Sequence, residues 1–515
     1  MFRAGPTSFD RRVKDVRVPG PLHPSSTINP GSVISSHTEQ SGSPLSWSPS
    51  TSDSPYPLFR DTLIKDGLFV TGQDDHWRVA CRPFELSREE ANFFEQLGQH
   101  LLLFYQALNR LYLDSLKGTQ PAWVHEYLDI GKPEDLLALA RMNRFKNQLP
   151  GVIRPDLIPT NDGMALTELD SVPGGIGLTG SLSRIYAQQG YPVWPQADGL
   201  IQGFSRMLRE ALHGQPPRVA IVVSDEAEAY RAEMQWVVTQ LRQEGWEAYC
   251  GHPRDIRFTE EGLLIHHEGR DQSLSVVYRF YELFDLKNIP KGELIVYSAK
   301  KGRVVVTPPY KPWMEEKLAL ALFHHPMLEK FWEQELKSDT FDCLRAIIPG
   351  TWVLDPRPLP PSAVIPGLRY GNHAVSDWQW LGEATQKERQ YVIKVSGFSD
   401  QAWGSRGVSI GHDMSQVKWK EVVSHALDQF ETSPSILQTF HKGRLVVVEY
   451  YDRHSGDVVS MEGRARLSPY YFVNEGQAHL GGVLATICPK DKKIIHGMRD
   501  AVMAPCSVMA SHLSS

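Results

Sequence analysis

The chain has 515 residues, of which 41% are hydrophobic and 22% charged, with a net charge of −6. That length allows several domains with sizeable cores, while the charge balance and the lack of a Lys/Arg-rich block give no support for nucleic-acid binding. No apolar run reaches membrane-span length, the start lacks a secretory core, and five scattered cysteines (Cys81, Cys250, Cys343, Cys488, Cys506) fit reduced thiols in a cytoplasm better than disulfides or a zinc site.

Residues 1–55 are rich in Ser, Pro, Gly and Thr and bury too little to offset ordering entropy, so they are expected to be a disordered leader. Ser87 and Glu90 form a capping-box pattern. Phe94, Leu97, Leu101, Phe104, Leu108 and Leu111 then recur at steps of three and four, which predicts an amphipathic helix whose aromatics are core. A second helix is expected from Pro133 to about Phe145. These elements belong to a helical region over 56–215.

The stretch Arg154–Gly180 (RPDLIPTNDGMALTELDSVPGGIGLTG) carries the densest chemistry. Pro159–Gly163 reads as a turn and Ala165–Leu169 as a short strand. Period-2 alternation puts Glu168 and Asp170 on one face of it, and a hairpin brings Asp156 beside them. Three carboxylates converging with Arg154 are unfavourable without a cation, and hard oxygen donors suit Mg²⁺ that also carries substrate phosphates. The repelling carboxylates should show at least one raised pKa. The Pro173–Gly177 run offers a close-approach backbone beside the metal. A helix is expected from Leu182 to Gln189, with Arg184 on it.

Over 216–310 the pattern becomes βαβ: the apolar run Val219–Val223, a helical stretch Glu226–Glu244, and the strand Trp246–Cys250. The turn Ser224-Asp225-Glu226 is acidic and cannot cradle a pyrophosphate, so a dinucleotide site is rejected. Further strands are expected at Leu263–Ile265, Ser275–Tyr278 and Val304–Thr307.

In 311–515, a helix carries Lys317, and His324-His325 lacks partners at metal-ligand spacing. Tyr391–Val395 is a strand holding Lys394, which leads into the glycine-rich Gly397–Gly411 with Gly404, Ser405, Arg406 and Gly407 at its tip. A strand lysine before such a loop suits phosphate oxygens. The spacing fits neither a P-loop nor a protein kinase. A helix Trp419–Phe430 and a strand Ile436–Phe440 follow, then strands Arg444–Tyr451 and Ser468–Val473. Arg466 and Arg464 compete to face the phosphates. His496 and Arg499 have no identifiable work.

Taken in order, these motifs resemble the circularly permuted ATP-grasp family and the synthetase domain of glutathionylspermidine synthases, over roughly residues 150–475. The resemblance rests on Arg154-x-Asp156 before Glu168-x-Asp170 in a hairpin, a Pro/Gly-rich loop, Tyr278-Arg279 after the βαβ unit, Lys317 before His-Pro, Lys394 before the glycine loop, and a strand ending in Gln438. It implies an α/β (α+β) fold with a Rossmann-like subdomain before the ATP-grasp lobes, and an ADP-forming, Mg²⁺-dependent carboxylate–amine ligase. Its partners would be ATP, a small-molecule or peptide carboxylate and an amine. Asp156, Glu168 and Asp170 would hold metal. Lys317, Lys394, Gly404, Ser405, Arg406 and Gly407 would bind phosphates, and Gln438 and Phe440 would sit at adenine. Arg154 and Arg279 would work at the reacting anions. The family usually has Asn where Asp170 stands, and a second Arg where Phe280 stands. Both departures leave open a nucleotide-binding regulatory or scaffold protein on a decayed ligase fold, and an unrelated α/β binding protein is a third reading.

Overall fold

A computed structural model describes residues 55–72, 76–371, 373–404, 406–497 and 499–509. The expected leader and Ser405 lie outside the described residues. The described residues form one compact unit, and the elements that position the site come in the following order.

Helix α1 (Arg88–Leu116) starts at the expected capping box: Ser87 Oγ accepts from Glu90 N at 3.1 Å, and Glu90 Oε2 accepts from Ser87 N at 2.9 Å. All six periodic apolar residues are buried, from Phe94 to Leu111, so the 3.6-residue period did become a core stripe. The strands β1 (Val152–Pro159) and β2 (Met164–Asp170) form the expected antiparallel hairpin, with Arg154 opposite Asp170 and Asp156 opposite Glu168. Helix α2 (Ile176–Gln188) begins six residues before the expected Leu182. Its first N–H groups are capped from a distant element, since the Glu233 carboxylate accepts from Gly175 N (2.7 Å) and Leu178 N (3.1 Å). Local sequence does not reveal such a cap.

The βαβ unit forms as β3 (Arg218–Val223), α3 (Arg231–Gln243) and β4 (Glu247–Gly251), with β3 and β4 parallel. Strands β5 (Val276–Phe280) and β6 (Val305–Thr307) complete a parallel four-stranded sheet in the order β6-β5-β3-β4. The strand expected at Leu263 belongs instead to a small antiparallel sheet with Ile256–Phe258 and Arg270–Ser273.

Helix α4 (Leu318–Phe323) starts one residue after Lys317. Lys317 N donates to Ser396 O (3.2 Å) and Leu318 N to Ser396 Oγ (2.8 Å), so a neighbouring strand end supplies the cap. Strands β7 (Thr351–Val353), β8 (Tyr391–Val395), β9 (Val408–Ile410) and β10 (Ser435–Thr439) make an antiparallel sheet ordered β7-β10-β8-β9. Helix α5 (Gln416–Asp428) buries Trp419 and Val423 in a cluster with Ile393 and Leu437 of that sheet.

Three long strands, β11 (Leu445–Tyr451), β12 (Val458–Asn474) and β13 (Gln477–Pro489), and then β14 (Val502–Val508), join the hairpin. Among the described residues this largest sheet has eight strands, with β14-β13-β12-β1-β2 consecutive. Its back face (Ile153, Leu157, Leu467, Tyr471, Ala485, Ile487) packs in one core with α1 and α4. Deleting a fully buried side chain there, such as Leu101→Ala, costs about 2–5 kcal/mol.

Candidate active site

Because side chains alternate along a strand, the opposite face of the large sheet collects a polar row. It holds Arg154 and Asp156 from β1, Glu168 and Asp170 from β2, Arg466, Ser468 and Tyr470 from β12, and Thr486 from β13. Arg154 bridges two carboxylates, with Nε 3.1 Å from Asp156 and Nη2 3.0 Å from Asp170. Arg466 Nη1 lies 3.0 Å from the other Asp156 oxygen, and Ser468 Oγ donates to Asp156 at 2.9 Å. Lys317 Nζ pairs with Glu168 at 2.9 Å. Lys394 Nζ donates to Thr167 O (2.6 Å) and Gln438 Oε1 (2.8 Å).

These charges tune one another. Burial pushes the Glu168 carboxyl up, but Lys317, Lys394 and Arg154 overcome it and hold it at about 2. Asp170 goes the other way: burial raises it, and Glu168 and Asp156 add to the rise against Arg154. Burial brings Lys394 down to about 8. Burial likewise raises Glu233, at the start of α2, to about 7.

The row forms the wall between two cavities. The larger, about 730 Å³, is lined by Arg154, Asp170, Tyr230, Glu282, Trp403 and Thr486 among others. The smaller, about 120 Å³, combines apolar lining (Ile158, Val392, Val408, Ile410, Phe440) with several cations, Lys317 and Lys394 among them. Asp156, Glu168 and Arg466 line both.

Not every expected residue has the role its motif suggested. The carboxylates share a face, yet among the described residues no three His, Cys, Asp or Glu side chains are grouped as a metal cage. The expectation that they need an external cation is corrected by the chain's own cations. Three carboxylates face Arg154, Arg466, Lys317 and Lys394, leaving one positive charge in excess. The donor set still fits Mg²⁺, which is commonly held by one or two carboxylates plus substrate phosphates rather than by an all-protein cage.

Arg279 is a second correction. It is fully buried, and its guanidinium donates to the carbonyls of Pro308 (2.9 Å), Tyr281 (2.7 Å) and Pro309 (2.9 Å) and pairs with Glu315. It spends four of its five N–H groups bracing the loop after β6 and lines neither cavity, so it is not placed to meet a reacting anion. Gln438 lines the small cavity, and its side chain, held by Lys394 and by Thr351 Oγ1 (3.2 Å), aims the lysine. Phe440, one residue past β10, lines the same cavity.

In the glycine-rich loop, Gly404 takes φ +62° and lines the large cavity. Arg406 lies over the Trp403 ring and pairs with Glu226 at 2.7 Å. Gly407 N donates to Gln401 O at 2.7 Å, and a Cβ there would collide with that carbonyl. The Pro173–Gly177 run makes its close approaches to Tyr230, Tyr470 and Glu233. Arg464 lines only the small cavity, with donors spent on the Gly443 and Lys490 carbonyls, whereas Arg466 lines both cavities.

Sequence reasoning missed Ser468, Tyr470 and Thr486, although the alternation Arg466-x-Ser468-x-Tyr470 is a strand-face signal. It also missed a buried clamp in which Glu316 pairs with Lys132 (2.5 Å) and accepts from Ser396. Through Ser396 this clamp ties the residue that leads α4, Lys317, to the end of β8, two residues past Lys394.

No protein-family model matches the chain, and no curated protein matches it. Among solved structures, it is similar to a glutathione synthetase-like effector from Globodera pallida, at 15% identity and a TM-score of 0.54. The likeness covers 89% of this chain and 98% of that one and is a likeness of fold. A more distant similarity, at 12% identity and a TM-score of 0.38, is to a candidate γ-glutamylcysteine synthetase from Methylobacillus flagellatus KT, covering 75% of this chain and 87% of that one. The fold is thus a mixed α/β fold with a synthetase-like neighbour. Among the described residues, no helix is long and apolar enough to cross a membrane.

Proposed function

We propose that the protein is an ATP-dependent carboxylate–amine ligase that forms ADP. The observation that carries this reading is the shared wall: Asp156, Glu168 and Arg466 line a cavity of apolar residues and lysines on one side and a large polar and aromatic cavity on the other. A nucleotide base suits the apolar lining of the small cavity. Its phosphates would then lie against Lys317 and Lys394, whose ammonium groups make charge-assisted contacts. The order of motifs, with the carboxylate hairpin before the lysines, favours the permuted ATP-grasp arrangement.

An acceptor carboxylate in the large cavity attacks the γ-phosphorus from across the wall. The bond to the ADP oxygen breaks, and an acyl phosphate and ADP form. An amine then attacks the acyl carbon, phosphate leaves, and the amine proton passes to solvent. This chain's contribution is positioning and charge neutralisation. Arg154 and Arg466 face the moving phosphoryl group, Gln438 aims Lys394, and the Glu316–Lys132–Ser396 clamp holds Lys317 in place. Asp156, Glu168 and Asp170 would hold Mg²⁺, which when bound neutralises the phosphate charge. The four cations exceed the three carboxylates by one charge, too little to balance a triphosphate, which is why a metal is expected with the nucleotide.

Hydroxylamine trapping tests the reading. Wild type with ATP, Mg²⁺ and a carboxylate panel should accumulate a hydroxamate and ADP, and Glu168→Gln should not. ATP binding without turnover on any carboxylate would favour the second reading, a nucleotide-binding regulatory protein. Asp170 and Phe280, which stand where the resembled family has Asn and Arg, are the departures that support that alternative.

A further inference from the structure

We propose that Arg466 and Thr486 form a carboxylate-binding subsite in the large cavity, which seats a carboxylate of the acceptor substrate beside Asp156; the assignment rests on the ligase reading above. Arg466 on β12 and Thr486 on β13 are register partners, so their side chains stand side by side on one face. Both line the large cavity. Thr486 is fully buried, and its Oγ1 has no hydrogen-bond partner among the described residues; neither does the buried Arg466 Nε. Buried polar groups are ordinarily satisfied, and two unsatisfied ones side by side on a cavity wall point to a ligand.

The chemistry of the pair selects that ligand. A guanidinium N–H only donates, and a hydroxyl can donate beside it, which together match the two oxygens of a carboxylate. Arg466 is already oriented by its ion pair with Asp156 and by the strand beneath it. Two other arginines that line the cavity are already paired, Arg154 with Asp156 and Asp170 and Arg406 with Glu226, whereas the unpartnered Arg466 Nε lies beside Thr486. An amine would meet a positive charge, and an amide would lose one of the two acceptors. The subsite therefore distinguishes an acceptor acid from the amine with which it is joined.

The test uses the full chain without nucleotide, titrated calorimetrically with glutarate, glycylglycine and glutathione, each against its carboxamide, and with inorganic phosphate. At least one acid should bind wild type about tenfold or more tighter than its amide. Thr486→Val, which keeps the volume and removes the hydroxyl, should reduce that preference about fivefold or more, and Thr486→Ser should keep it. Equal binding of every acid and its amide, no binding by any acid, a Thr486→Val preference like wild type, or binding of phosphate alone would each overturn the proposal. The wild-type comparison needs no variant to fold. Mg-ATP titrated into the same samples separates the two readings: a failure of ATP to bind removes the ligase reading, while the acid–amide difference still judges the subsite.

Discussion

At the scale of single residues, Lys394 connects burial to binding. Its ammonium is lowered to about 8 because burial strips its water, while its partners Thr167 O and Gln438 Oε1 are neutral acceptors. Phosphate binding needs the charged form, so Mg-ATP affinity should fall as pH rises through about 8. Lys394→Arg, which stays charged, should flatten that fall in calorimetry run from pH 7 to 9.5. The linkage to folding has the opposite sign. Between about 8 and the ordinary 10.5 the unfolded chain holds a proton that the folded one has released, so this lysine makes stability rise with pH over that window. Glu168 titrates elsewhere. Its folded value of about 2 lies below the ordinary 4.5. The stability it contributes with Lys317 is therefore complete above about 4.5 and is lost as pH falls toward 2. Glu168→Gln should remove that part of the acid sensitivity, as read from denaturation midpoints between pH 5 and 3.

At the scale of elements, α2 meets α3 at a close seam. A Cβ on Gly177 would collide with the Glu233 backbone carbonyl, which cannot swing aside as a side chain can. Gly177→Ala should cost about 1–3 kcal/mol, read from the urea midpoint, through overpacking; an unchanged midpoint would mean that the seam is loose. This seam also marks the limit of what local sequence tells. The α1 stripe, its Ser87/Glu90 box and the β1–β2 hairpin were legible because period and turn chemistry are written within a dozen residues. The start of α2 was not, because its cap comes from Glu233, fifty-eight positions from Gly175. Nor was the start of α4, capped by Ser396. Arg279 had the right residue type for an anion, but which donors a buried guanidinium spends on its neighbours is decided by packing.

At the scale of the whole molecule, the two cavities meet at a row contributed by strands more than three hundred residues apart in the chain, β1 and β12. Half of that row, the Arg-x-Asp and Glu-x-Asp hairpin, could be read from the sequence. Of the β12–β13 half only Arg466 was singled out, because which strands become sheet neighbours is a tertiary fact. The glycine-rich loop closes the arrangement through the Arg406–Glu226 pair, which is exposed enough to add little stability, about 0–1 kcal/mol. Arg406→Ala should therefore leave the thermal midpoint nearly unchanged while speeding nucleotide release several-fold in stopped-flow displacement. An unaltered release rate would mean that the loop takes no part in holding the ligand. The central claim is that the small cavity, with Lys317 and Lys394 among its lining, is a nucleotide site feeding the shared wall. Calorimetric titration of Mg-ATP into wild type and Lys394→Ala tests it most directly. A charge-assisted phosphate contact contributes on the order of 1.5–3 kcal/mol, so the account predicts binding by wild type that weakens at least about tenfold in the variant. Equal affinity in the two proteins, or no binding of Mg-ATP to either, would contradict it.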